Sequence, residues 1–232
     1  DMLRDVCLPD YNVVYYAVED KSADITAENI AEHEDCTEFD IVYGGESYRA
    51  QIPCIGAHNV LNALAGFGAG VAAGVKPEHA AAALANFRST GMRQRARKCR
   101  EVTVIEDCYN ANPDSVKAAM LTLGSRKIPD GAKKIAVLGD MLELGAVAES
   151  AHLAAGEEAA AAADVLFCCG ELGRLIAKGA ENAGMKNAKH FNSKDELAQE
   201  LRKIARPGDI IWLKASRGMR FEDIAEAFYE EL

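Results

Sequence analysis

The sequence predicts an α/β fold in two domains, the second built on a parallel sheet with helices on both faces. Short apolar runs and amphipathic helical stretches alternate regularly from Ile135 to the end. Alternation of this kind implies parallel strands joined by right-handed helical crossovers. A cluster of Ser, Pro, Asp, Gly and basic residues over Gly124 to Lys133 breaks the composition, and upstream of it a β-rich stretch gives way to helical periodicity. The domain boundary is therefore expected between residues 124 and 125, and a chain of 232 residues is long enough to bury two cores.

In the first domain, Tyr11 to Val18 is rich in valine and tyrosine, and Glu38 to Pro53 reads as two strands joined at Gly44-Gly45. Helical periodicity covers Val60 to Val75 and Pro77 to Asn86. Gly68, Gly70 and Gly74 lie inside that apolar pattern rather than at a strand-to-helix turn, so close helix packing is expected of them, not a dinucleotide fingerprint. Val102 to Glu106 is a short strand. Asn112 and Pro113 then mark a helix start, as N-cap and first helical residue.

In the second domain, strands are expected at Ile135 to Leu138, Val165 to Cys169, Lys189 to Phe191 and Asp209 to Leu213. Helices fall at Ser150 to Ala163, Leu172 to Ala183, after Ser193 with Glu196 completing a capping box, and from Phe221 to Glu230.

Composition excludes several function classes. Twenty-six Lys and Arg against 36 Asp and Glu give a net charge of -10, which repels nucleic-acid phosphates. No apolar run has the length of a membrane span, and the first residues do not read as a signal peptide, so a soluble cytosolic protein is expected. The seven cysteines (Cys7, Cys36, Cys54, Cys99, Cys108, Cys168 and Cys169) include no C-x-x-C pair, which argues against a disulfide framework or a zinc site. Cys168 and Cys169 alternate sides of a strand, as core residues would.

Ligands of open parallel sheets bind beyond the carboxyl ends of the strands. Three loops qualify: Asp107 to Asn112, Gly139 to Gly145, and Lys214 to Gly218. Lys214, Ser216 and Arg217 together suit an anion, carboxylate or phosphate. Asp107 suits ribose hydroxyls or a turn, and Arg93 a phosphate or solvent. Asn59 and Asn62, three apart at a helix start, could face an adenine edge, although the spacing by itself favours a cap and a solvated position. No G-x-x-x-x-G-K-[ST], G-x-S-x-G or H-E-x-x-H occurs.

Taken in order, Gly56-x-His58-Asn59-Val60-x-Asn62-Ala63, Thr90-Gly91-Met92-Arg93, Asp107-x-Tyr109-Asn110-Ala111-Asn112-Pro113-Asp114-Ser115, Val137-Leu138-Gly139-Asp140-Met141-x-Glu143-Leu144-Gly145 and Lys214-x-Ser216-Arg217 resemble the Mur ligase family, in its D-alanyl-D-alanine-adding branch. The resemblance runs from about Tyr15 to the end. It implies part of a central ATPase domain over residues 1–124, followed by a Rossmann-like parallel-sheet C-terminal domain over 125–232. It further implies ATP-dependent amide bond formation between UDP-N-acetylmuramoyl-tripeptide and D-alanyl-D-alanine by a monomeric cytoplasmic enzyme using Mg2+. Nucleotide contacts would come from His58, Asn59, Asn62, Arg93, Asp107, Tyr109 and Asn110, and amino-substrate contacts from Asn112, Asp140, Lys214, Ser216 and Arg217. The family's P-loop, magnesium ligands and carbamylated lysine lie upstream of these motifs and have no counterpart here. The chain alone is accordingly expected to be inactive, its first domain holding an incomplete parallel sheet with an open edge. Ala215 departs from the family's glycine and is expected to crowd its loop. A ligase of another Mur branch, a nucleotide-binding module and a noncatalytic interaction fragment are the competing readings.

Overall fold

The computed structural model describes residues 12–33, 36–88 and 93–230. The chain divides into two compact units, Asp1–Arg88 and Ser89–Leu232. Tyr11, Cys7 and the Thr90-Gly91-Met92 segment lie outside the described residues.

In the first unit, four strands are ordered β1-β2-β3-β4. β1 (Tyr16–Ala17) is parallel to β2 (Ile25–Glu32), whereas β2, β3 (Thr37–Tyr43) and β4 (Glu46–Ile52) run antiparallel. The expected parallel sheet is thus corrected to a mainly antiparallel one. β2 escapes the sequence pattern because its second half, Glu28 to Glu32, is exposed on every residue and interrupted by a bulge at which Asn29 takes a φ of 51°. Gly44 and Gly45, at φ 61° and 80°, make the tight β3–β4 turn that two left-handed residues permit.

The period of two turns Phe39 and Ile41 inward, against Val60, Leu64 and Phe67 of α1 (Ala57–Ala72). A methyl on Gly68 would meet Ile25 Cδ1 at 2.8 Å, so this glycine does allow a close approach. Gly74 has another role. At φ 90° it ends α1, where the N–H groups of Gly74 and Val75 donate to Val71 and Gly70 and satisfy carbonyls the helix leaves open. α2 (Pro77–Ala83) follows and tightens into a 3-10 turn over Leu84–Asn86.

The second unit is a six-stranded sheet ordered β5-β6-β10-β7-β8-β9. β5 (Arg95–Cys99) is an antiparallel edge; β6 (Val102–Asp107), β7 (Lys134–Gly139), β8 (Val165–Cys169), β9 (Ala188–Phe191) and β10 (Ile210–Lys214) are parallel. The helices α3 (Pro113–Ser125), α4 (Ala148–Ala162) and α5 (Gly173–Asn182) cover one face through Met120, Ala155 and Ile176, packed on Ala136, Leu166 and Trp212. α6 (Lys194–Ile204) and α7 (Glu222–Glu230) cover the other through Leu201 and Phe228, packed on Val137, Phe167 and Ile211. Cys168 and Cys169 point to opposite faces, both buried, as the strand period requires.

The boundary expected at 124/125 is corrected to 88/89. β6 pairs in register with β10, from Thr103 opposite Ile210 to Asp107 opposite Lys214, which ties β5, β6 and α3 to the second unit. The Gly124 to Lys133 composition break is the turn between α3 and β7. Local composition marks a surface turn equally well within a domain and between domains, and the strand pairing that decides the matter is remote in sequence.

Burial gives the fold an alkaline limit. The thiols of Cys54 and Cys108 are pushed up from 9.0 to about 11 and about 12, chiefly because a thiolate would be poorly solvated there. Unfolded thiols ionise first as the pH rises, so this contribution to stability is complete below pH 9 and is lost progressively above it. The urea midpoint should fall above about pH 9, and less steeply in a Cys54→Ala, Cys108→Ala double variant. An identical slope in parent and variant would exclude these thiols as the cause.

Candidate functional site

Because β6, β10, β7, β8 and β9 are parallel and adjacent, their following loops open on one edge of the sheet. The three loops singled out in the sequence are neighbours there. Their polar side chains, however, are mostly spent on each other.

Lys214 is 2% exposed; its Nζ donates to Asp107 Oδ2 at 2.9 Å and to the Asn110 carbonyl at 3.0 Å. An ammonium buried this deeply needs its carboxylate partner, and the pair holds the β6 loop to the end of β10. Ser216 joins all three loops: its Oγ accepts the Leu142 N–H at 2.9 Å and donates to the Ala111 carbonyl, and its own N–H donates to the Asp140 carbonyl. Arg217 pairs with Glu222 at 2.6 Å on the surface. Asn112 is used as a cap: its Oδ1 accepts the Ser115 N–H while Ser115 Oγ accepts the Asn112 N–H.

Asp140 is 5% exposed and accepts two N–H bonds, from Glu171 at 2.9 Å and Leu172 at 3.0 Å, where α5 begins. Its charge faces the positive end of that helix. Gly170, at φ 120°, makes room for it, since a methyl there would lie 2.3 Å from Asp140 Oδ1. Asp140→Ala would leave two donors without their acceptor, and a loss on the order of 2 kcal/mol is expected. Hydrogen exchange should show faster Glu171 and Leu172 amides, with α6 unchanged; unaltered protection at both would remove Asp140 from this role.

Sequence reasoning overlooked His152. It is fully buried on α4, with Nε2 accepting the Met141 N–H at 2.9 Å and Nδ1 lying 2.6 Å from the Ala148 carbonyl. Those partners require the neutral ring protonated on Nδ1, which pins the start of the β7 loop. Ala215 does not crowd its loop. Its methyl is fully buried beside Gly139, where a second methyl would clash at 2.9 Å, so Gly139 supplies the space.

On the same edge, Tyr109 is 46% exposed with the Arg93 guanidinium 4.0 Å above its ring centroid, and Asn110 beside it is exposed. The second unit thus presents an exposed aromatic wall at this edge. In the first unit, His58 is half-buried and Asn62 exposed at the start of α1. Asn59 does not occupy the N-cap, which is Gly56; from inside the first turn its amide donates to the Ile55 carbonyl at 2.7 Å. Among the described residues, no three His, Cys, Asp or Glu side chains converge as a metal site, and no helix is long and apolar enough to cross a membrane.

A cleft of about 610 Å3 opens between the ends of β8 and β9, lined in part by Gly170, Glu171, Arg174, His190, Ser193 and Lys194. The sequence reading passed over both of its loops. The rule that located the other three, inspection of each strand's carboxyl end, applies equally to Cys169 and Phe191.

Two family descriptions match the chain: the Mur ligase middle domain over residues 3–70, and the Mur ligase glutamate ligase domain over residues 92–217. The UDP-N-acetylmuramoyl-tripeptide–D-alanyl-D-alanine ligase of Bacillus subtilis is 38% identical over 210 residues, covering 89% of this chain and 45% of that protein. The structure of MurF from Acinetobacter baumannii aligns with a TM-score of 0.80 at 25% identity, over 94% of this chain and 47% of the other. MurF from Thermotoga maritima, in complex with ADP, shares the fold at a TM-score of 0.76 and 23% identity, over 95% of this chain and 49% of the other. The chain spans about half the length of these relatives.

Proposed function

The chain belongs to the Mur ligase family, and from that premise we propose that it is part of an enzyme joining D-alanyl-D-alanine to UDP-N-acetylmuramoyl-tripeptide. The observation that carries the proposal is the 38% identity to the Bacillus subtilis ligase of that reaction over 89% of the chain. ATP, when bound, would supply the phosphoryl group that activates the tripeptide carboxylate, so that phosphate can leave when the dipeptide amine forms the amide bond. What this chain's residues do is positional. Within the second unit, Tyr109, Arg93 and Asn110 offer an exposed wall that suits an adenosine; in the first unit, the family resemblance alone gives His58, Asn59 and Asn62 an adenine-binding role. Asp107 acts through Lys214, holding the Tyr109 loop to β10. Asp140, Ser216 and Asn112 likewise shape loops. Among the described residues, no three His, Cys, Asp or Glu side chains come together as ligands for Mg2+. The reading carries with it a monomeric cytoplasmic enzyme that takes no nucleic acid.

The test is a hybrid in which residues 12–230 replace the matching part of the Bacillus subtilis ligase. After a check of cooperative melting, phosphate release should require both UDP-N-acetylmuramoyl-tripeptide and D-alanyl-D-alanine. A folded hybrid that turns over with another amino substrate, and not with the dipeptide, would assign the chain to a different branch. The 232-residue chain alone is expected to release no phosphate above background, because it has no P-loop motif.

A further inference from the structure

We propose that the outer edge of β5 is a docking site for an extended acidic polypeptide segment, which adds to the second unit's sheet as a further strand. The inference stands independently of the reaction proposed above.

Residues 93–100 hold five cations, Arg93, Arg95, Arg97, Lys98 and Arg100, and no carboxylate, in a chain whose net charge is -10. β5 ends the sheet: it pairs with β6 on one side and, among the described residues, with no strand on the other. Such an edge presents a row of N–H and C=O groups that another strand can use. Charges on an edge also discourage unwanted pairing, and one lysine serves that purpose. At the opposite edge, Lys189 of β9 is matched by Glu200 and lies over the Phe191 ring. β5 carries more charge than that and leaves most of it unmatched. Arg97 pairs with Glu106 and lies over the Tyr229 ring, but the exposed side chains of Arg95, Lys98 and Arg100 make no ion pair or hydrogen bond among the described residues.

The turn into β6 points the same way. Cys99 stands opposite Val102, so Arg100 and Glu101 form a two-residue turn, at left-handed φ of 46° and 63°. Asparagine or aspartate followed by glycine suits that backbone, and an arginine does not. The fold is therefore strained to keep a cation that serves no internal partner, and strain of this kind is held where a side chain has other work.

The free backbone groups select an extended polypeptide over a headgroup or a free anion, because only a strand uses both the backbone row and the charges. The strand period sets its sequence. Arg95 shares a face with Arg97, and Lys98 points to the other, so carboxylates three residues apart on the added strand meet Arg95 and Lys98 on their respective faces. A second copy of β5 would set cation against cation, which disfavours self-pairing at this edge.

The test uses the 232-residue chain and a short blocked, dye-labelled peptide of threonine and valine with two glutamates three residues apart, followed by fluorescence anisotropy and amide chemical shifts. Binding should saturate with a Kd below about 1 mM at low salt and weaken as salt is added. Shifts should centre on Arg95 to Cys99. The same peptide with glutamines for glutamates, and the Arg95→Gln, Lys98→Gln double variant, should each bind about fivefold or more weakly. Arg100→Asn should raise the melting temperature while weakening the peptide, a split that a purely structural arginine would not give. Melting curves establish that the double variant folds. Equal affinity for both peptides, unchanged affinity in the double variant, or no saturation up to about 5 mM peptide each overturns the site. Phosphatidylglycerol vesicles that bind the parent and not the double variant, where the peptide fails, would give the cations to a lipid surface instead. Parent dimers in sedimentation that dissociate in the double variant would give the edge to a second copy; either result also overturns strand addition by an acidic partner.

Discussion

Gly156→Ala is expected to destabilise the second unit by about 3 kcal/mol or more, and Gly179→Ala by a similar amount. Both effects arise at the contact of α4 with α5. A methyl on Gly156 would lie 2.0 Å from the Ile176 carbonyl oxygen, and one on Gly179 would lie 2.0 Å from the Leu153 carbonyl oxygen. The obstacle in each case is helix backbone, which cannot rotate aside as a side chain end can. Relief requires the helices to separate, and separation would unseat Ala155, Ala159, Ile176 and Ala180 from one shared core. Urea denaturation of the single variants is the measurement. Gly124→Ala is the control, because its added methyl would meet Ala162 at an ordinary 3.5 Å. Variants at Gly156 and Gly179 that matched this control would refute the tight contact. The double variant should cost less than the sum, since one separation of the helices relieves both clashes.

Lys214→Met should cost about 3 to 5 kcal/mol, the second large effect, because it leaves the Asp107 carboxylate buried without its cation. At 3% and 10% side-chain exposure, neither member of the pair is well hydrated. Adding Asp107→Asn removes the stranded charge, so the double variant should regain a substantial part of the loss, and the difference measures coupling. A ligand-binding lysine would behave otherwise. Its removal would leave unfolding nearly unchanged and alter only dipeptide binding, and that outcome would restore Lys214 as a substrate contact.

Much of the fold was legible in the chain itself. The alternation after Ile135 specified β7 to β10 and α4 to α7, because a helix and a buried strand bury their apolar residues at different periods. The Asn112-Pro113 start of α3 and the Gly44-Gly45 turn were equally readable, since capping and left-handed backbone are set by the residues on the spot. Three binding-edge loops followed from the parallel topology, and the ordered motifs carried the family.

Other features depend on residues far apart in sequence, and these only the tertiary structure decided. β6 belongs to the second unit because its hydrogen-bonding partner is β10, about a hundred residues away, and no local composition records that pairing. Lys214, Ser216 and Asp140 look from the sequence like ligand contacts, yet Asp107, the Leu142 N–H and the start of α5 claim them first. Gly156 and Gly179 read as ordinary helical glycines until the two helices meet. A residue's type determines which partners it can accept, but burial and geometry determine which partner reaches it, and that choice belongs to the folded chain.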